Sequence, residues 1–213
     1  MANDSVLHHT ELPGVLLSTP TVHTDARGGF HEWFKASEFE QATGYPFMLQ
    51  QANMSTSAPG VVRGLHYADV PPGQAKFVTC AAGRIVDVVA DIRRGSPTFG
   101  QHIAVELSPE NAKGLYIPGG FAHGFIALEQ STVVYLTTSE YDPEVEHEVS
   151  AFDGTLNIDW DAYAGGIEKI LSDKDRKAPA LGDADLPDYE LCQEMETEMK
   201  DGWVLANQEA SAE

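Results

Sequence analysis

The chain has 213 residues, 42% apolar and 22% charged, and its 13 Lys+Arg against 33 Asp+Glu give a formal net charge of −20. A field of that sign repels nucleic-acid phosphates and anionic membranes, so neither is expected as a partner. No apolar run approaches the roughly 18 residues of a bilayer span, and the N-terminus, with Asp4, His8, His9 and Glu11, lacks the basic-then-apolar layout of a signal peptide, so a cytoplasmic protein is expected.

From about Gly14 to Trp160 the chain reads as short strands separated by turn residues, among them Gly28-Gly29, Pro59-Gly60, Pro71-Pro72-Gly73, Gly95-Ser96-Pro97 and Pro118-Gly119-Gly120. Lys35–Thr43 is the early helix candidate. Between the turns lie β-favouring runs at Lys76–Cys80, Arg84–Ile92, His102–Leu107 and Thr132–Thr137. This length and punctuation predict an all-β sandwich or barrel. In Arg84–Ile92 the alternation is imperfect, because Asp87 interrupts apolar Ile85 and Val88-Val89.

After Trp160 the character changes. Ser172-Asp173-Lys174-Asp175, followed by Pro179, reads as a polar loop or helix start. From Gly182 to Glu213 there are ten acidic residues and one lysine, and Asp188–Met199 is a helix candidate with Leu191, Met195 and Met199 on one face. The chain therefore divides into a β domain over residues 1–181 and an acidic extension over 182–213, read as a solvated tail with a docking helix. Acidic residues also run along the whole chain, which suits a surface that stays soluble in high salt.

Eight histidines raise a metal hypothesis, but no HxH or HxxxH spacing occurs, and isolated His23, His31, His102 and His147 read as surface or strand residues. His66 and His123 differ, standing in the Gly-flanked segments Val62-Arg63-Gly64-Leu65-His66-Tyr67 and Pro118-Gly119-Gly120-Phe121-Ala122-His123-Gly124-Phe125. Each alone reads as a satisfied core histidine. Arg27, Arg63 and Lys76 are scarce cations in turn-bounded segments; alone each is a surface charge, and together they would make a positive pocket for a phosphorylated small ligand. No GxGxxG, P-loop or GxSxG pattern is present. Cys80 and Cys192 form neither a CxxC nor a recognisable nucleophile context, as befits a reducing compartment.

Five segments stand in the order of one family: Asp25-Ala26-Arg27-Gly28-Gly29-Phe30-His31-Glu32, Gln51-Ala52-Asn53, the His66 and His123 segments, and Leu171-Ser172-Asp173-Lys174-Asp175. Over roughly residues 12 to 180 the chain resembles the dTDP-4-dehydrorhamnose 3,5-epimerase family. The resemblance implies a cupin-type double-stranded β-helix, or jelly roll, with short peripheral helices, working as a homodimer without metal or cofactor. The implied substrate is dTDP-4-dehydro-6-deoxyglucose, whose C4 ketone makes the C3 and C5 protons acidic.

The implied roles are His66 as general base, Asp175 as the carboxylate paired with it, Lys76 as the cation near the C4 oxygen, and Tyr135 as the acid on the opposite face. Arg27, Glu32, Gln51, Asn53, Arg63, Lys76, His123, Glu146 and Lys174 match the family's ligand contacts, with Arg27 and Arg63 expected on the diphosphate. Phe30 is a candidate wall for the thymine ring, although such a residue reads first as core. Asp159-Trp160-Asp161 and Leu136-Thr137-Thr138-Ser139 depart from the family pattern and leave regiochemistry open. A single-carbon epimerase, a 3,4-ketoisomerase and a non-catalytic nucleotide-sugar-binding jelly roll therefore stand as alternatives.

Overall fold

The computed structural model describes residues 6–210; Asp4 and the outermost ends of the two expected segments lie outside the described residues. In chain order the elements are β1 (Leu7–His9), β2 (Leu16–Ser18), β3 (His23–Asp25), β4 (Gly28–Phe30), α1 (Ala36–Thr43), β5 (Gln51–Ser57), β6 (Val62–Ala68), β7 (Lys76–Ala82) and β8 (Ile85–Asp91). There follow β9 (His102–Leu107), β10 (Gly114–Ile117), β11 (Phe121–Ala127), β12 (Ser131–Thr137), β13 (Glu146–Glu148), α2 (Trp160–Ala164), α3 (Asp173–Arg176) and α4 (Tyr189–Ala210). The four strand runs and the early helix stand where the sequence places them.

The strands form a six-stranded sheet, β1-β2-β10-β7-β12-β5, and a five-stranded sheet, β13-β6-β11-β8-β9, both antiparallel. Residues from both sheets interdigitate between them: Val78, Leu115 and Val133 from the first meet Ile85, Val89, Leu107 and Phe125 from the second. The result is the jelly roll expected from the sequence. Each sheet is also covered on its outside. Leu16, Phe77, Tyr116 and Leu136 pack beneath Phe39 of α1, with Tyr45 and Phe47, and Val62, Leu65, Val86, Val88 and Ile126 pack beneath Leu156 and Trp160. A strand buried on both faces reads as a continuous apolar run, which is why Arg84–Ile92 alternates poorly. All seven residues of β8 are buried.

Local signals place the helix ends. α1 stops at Gly44, whose φ of 85° is left-handed and whose N–H bonds Glu40 O. Ser172 caps α3, its Oγ accepting from the Asp175 N–H at 3.0 Å.

Two expectations are corrected. Phe30 is not core: it is 65% exposed on the β3–β4 hairpin, all six strand residues of which are exposed. The C-terminal helix extends well past Met199, so one peripheral helix is 22 residues long. It docks through Cys192, which is buried, rather than through Leu191. Arg93, paired with buried Asp91, stacks between Phe121 and Tyr189 at this junction, and Trp203 Nε1 donates to Glu40 Oε1. No helix among the described residues is long and apolar enough to cross a membrane.

Candidate active site

The inner layer of the jelly roll changes from apolar to polar at one end. There a cavity of about 250 Å³ opens between the sheets. On β7 the inner positions are 76, 78 and 80, so Lys76 shares its face with Val78 and Cys80 and points between the sheets. On β12 Tyr135 shares the face of Val133, and on β5 Gln51, Asn53 and Ser55 lie opposite Thr137, Tyr135 and Val133. These residues make one wall.

The facing wall carries Arg63 and His66 of β6 with His123 of β11. Residues three apart on a regular strand point to opposite faces. Here the β6–β11 register shifts, with Arg63 opposite Phe125 and His66 opposite His123, so both side chains face inward. Gly64 and Gly124 permit that shift. Gly64 has φ of 116°, and a Cβ there would stand 2.7 Å from Gly124 Cα and His123 O.

His66 Nε2 lies 2.7 Å from Asp175 Oδ1, and Ser172 Oγ donates to Asp175 Oδ2 at 2.9 Å. Burial alone would raise the Asp175 pKa, but hydrogen bonds from His66, Ser172 and the Gly64 backbone outweigh it and hold the carboxyl below its ordinary range. The carboxylate thus orients the imidazole through Nε2 and leaves Nδ1 for the cavity. A second buried pair supports His123, whose Nε2 lies 2.9 Å from Asp87 Oδ2. Asp87 is completely enclosed, and burial raises its pKa despite that partner.

Lys76 is buried, and the loss of hydration pulls its pKa down from 10.5 to about 8, partly opposed by the Glu146 charge. Burial, with the Glu146 charge beside it, raises the Tyr135 hydroxyl above its ordinary value, keeping it a proton donor at neutral pH. Glu146 accepts from Gln74 Nε2 at 3.1 Å.

Eight of the expected residues thus line one cavity: His66, Lys76, Tyr135, Gln51, Asn53, Arg63, His123 and Glu146. Asp175 stands behind His66. Lys174 is outside the lining and pairs with Glu148. Arg27 and Glu32 are not brought to the cavity of their own chain. Arg27 is paired with Asp25 on the exposed hairpin, its side chain 90% exposed, and Glu32 bridges Lys35 at 3.5 Å. The positive pocket of three cations therefore holds two within one chain.

Sequence reasoning missed Ser55, Gln74, Tyr141 and Asp87. Asp87 had a signal, being one of two charges in the otherwise apolar β8. Ser55 is an ordinary polar residue whose placement depends on sheet register, and Gln74 and Tyr141 lie in loops that only the fold brings to the cavity. Among the described residues no group of three or more His, Cys, Asp and Glu side chains gathers to hold a metal.

Across the cavity, then, an oriented imidazole faces a phenol and a cation, with a second carboxylate-backed histidine alongside. That arrangement suits proton transfer at carbon beside a developing oxyanion. The chain matches the model of the dTDP-4-dehydrorhamnose 3,5-epimerase family over residues 9–183. It is 44% identical over 195 residues to the Mycobacterium tuberculosis dTDP-4-dehydrorhamnose 3,5-epimerase, covering 89% of this chain and 96% of that one. It is 40% identical to a Streptomyces dTDP-4-dehydro-6-deoxyglucose 3-epimerase, over 89% and 98% of the two chains. The solved M. tuberculosis epimerase superposes with a TM-score of 0.88 over 91% of this chain and 98% of its own, at 43% identity. A 3'-monoepimerase from Streptomyces bikiniensis, solved with dTDP-quinovose, gives 0.86 over 91% and 98%, at 39% identity. With its jelly roll, its cavity walled by facing titratable side chains and this likeness along nearly its whole length, the chain belongs to the dTDP-4-dehydrorhamnose 3,5-epimerase family.

Proposed function

We propose that this protein is a dTDP-4-dehydro-6-deoxyglucose 3,5-epimerase, working in the cytoplasm as a homodimer and adapted to high salt. One observation carries the catalytic reading: His66, backed by Asp175, stands on one wall of the cavity, and Tyr135 and Lys76 stand on the facing wall. Inversion at carbon needs that opposition, a base on one face and an acid on the other.

The C4 ketone of the substrate makes its C3 and C5 protons acidic. Nδ1 of His66 takes a proton from carbon, and the electron pair of the broken C–H bond moves to the C4 oxygen. The Lys76 ammonium stabilises the resulting enolate. Tyr135 then returns a proton to the opposite face of the same carbon, and solvent exchange restores His66 and Tyr135. The sequence repeats at the second carbon, with no net oxidation or reduction. Arg63 lies exposed at the cavity, its Nε donating to Ser57 Oγ at 3.0 Å and Nη2 to Thr56 O at 3.1 Å. This bracing presents the rest of its guanidinium to a diphosphate.

Arg27 and Glu32 join the site if they serve a second copy. The hairpin's full exposure, the exposed Phe30 at its end and the exposed Met54 on edge strand β5 support a dimer in which it reaches the partner's cavity. Proton NMR of the 4-keto substrate in deuterated buffer tests the function. Loss of both the C3 and C5 proton signals is expected. Loss of one would make this a single-carbon epimerase, and loss of neither would overturn the catalytic reading.

A further inference from the structure

The inner face of β5 carries Gln51, Asn53, Ser55 and Ser57, whereas the neighbouring inner positions on β12 and β7 include apolar Val133, Val78 and Cys80. Three of the four polar side chains are accounted for. Gln51 Nε2 donates to Asn53 Oδ1 at 2.6 Å, and Ser57 Oγ accepts from Arg63 Nε at 3.0 Å. Ser55 Oγ is different: it is buried and has no hydrogen-bond partner, the one such side-chain atom among the described residues. Folded proteins rarely leave a buried hydroxyl unpaired, because it loses its water without recovering a bond. Yet Ser55 lines the catalytic cavity.

Its position names the missing partner. Ser55 lies opposite Val133, one inward step along β5 from Asn53, which faces Tyr135, and one step from Ser57, which braces Arg63. Inward steps on a strand are about 6.5–7 Å. Ser55 therefore stands between the acid that acts at C3 and the cation that faces the diphosphate on C1. The same acid acts at C5, but between C5 and C1 the ring has only an oxygen that accepts, whereas between C3 and C1 it has C2 with its hydroxyl. A serine hydroxyl both donates and accepts, and so matches another hydroxyl, whereas the phosphate already has Arg63. We propose, resting on the epimerase reading above, that Ser55 is a substrate-binding residue whose hydroxyl, turned inward by one rotamer step, hydrogen-bonds the C2 hydroxyl of the sugar.

The test is titration calorimetry of wild type and Ser55→Ala with three unreactive probes: dTDP, dTDP-glucose and its 2-deoxy analogue. Thermal melting without ligand accompanies it. The variant is expected to bind dTDP within twofold of wild type and dTDP-glucose about fivefold more weakly. Wild type should discriminate against the 2-deoxy probe by a similar factor, and the variant should not. Melting temperature should stay level or rise, since the substitution removes an unpaired hydroxyl. Equal weakening of dTDP and dTDP-glucose would make Ser55 a phosphate contact and overturn the proposal. Unchanged binding of all three probes would overturn it too, and so would a melting temperature lowered by several degrees, which marks a structural hydroxyl. Failure of wild type to bind dTDP-glucose would instead strike the epimerase reading itself, on which this one rests.

Discussion

On the proposed mechanism His66 and Tyr135, which line facing walls of the cavity, divide the proton chemistry between them, so substitutions separate its halves. His66→Asn should lower deuterium uptake at both C3 and C5 by about 10²–10⁴-fold while dTDP still binds. Tyr135→Phe should stop inversion yet leave deuterium uptake with retained configuration, because His66 still removes the proton and can return one from its own side. NMR of the recovered sugar distinguishes these patterns. Lys76 links catalysis to stability with opposite signs. Its pKa is 10.5 ordinarily and about 8 in the fold, so between those values the unfolded chain binds more protons than the native one. Its contribution to stability therefore rises with pH across that window. Below about pH 8 the buried charge costs of the order of 3 kcal/mol. Lys76→Met should thus raise the melting temperature at pH 7 by several degrees while depressing turnover, and wild-type kcat should fall above about pH 8 as the ammonium is lost. A lower melting temperature for Lys76→Met would refute this account of the buried cation.

Two elements put these residues to work. The first is the β6–β11 pair, where Gly64 and Gly124 let the backbones close up. Gly64→Ala would force a Cβ against backbone atoms 2.7 Å away at positive φ, with no flexible side chain to yield. We expect a loss of about 3 kcal/mol or more in denaturant unfolding. Turnover should fall further than stability explains, because the same irregularity turns both Arg63 and His66 inward. The second element is the β3–β4 hairpin. Arg27→Ala should raise KM about tenfold with little change in kcat, and mixing it with His66→Asn should restore activity at low substrate. In the mixed dimer one site then receives an intact hairpin and an intact base. Absence of complementation in a verified mixed dimer would show that the hairpin does not serve the partner. The β7, β8, β9 and β12 strands were legible because glycine and proline punctuate them. The hairpin's exposure was not, because Phe30 has the same composition signal whether it fills a core or stands out in solvent.

At the scale of the whole molecule the −20 net charge is the governing quantity. Self-repulsion among acidic side chains weakens as salt shortens the screening length from about 10 Å at 0.1 M to about 3 Å at 1 M. Melting temperature and activity should both rise between low and molar salt, as thermal melts and initial rates across a salt series would show. Equal stability throughout the series would leave mere acidity. By itself the sequence determined the all-β architecture and an early helix over Lys35–Thr43, marked Ser172–Asp175 as a polar loop or helix start, and through motif order put forward His66, Lys76, Tyr135 and Asp175 as candidates, because turn chemistry and motif order are local properties of the chain. Only the tertiary structure decided which of those residues meet. Asp175 reaches His66 across 109 positions, Asp87 finds His123 across a sheet, Arg27 stands away from its own cavity, and Ser55 is left without a partner. Alternation specifies two faces of a strand, but register and the approach of the two sheets decide what each face meets.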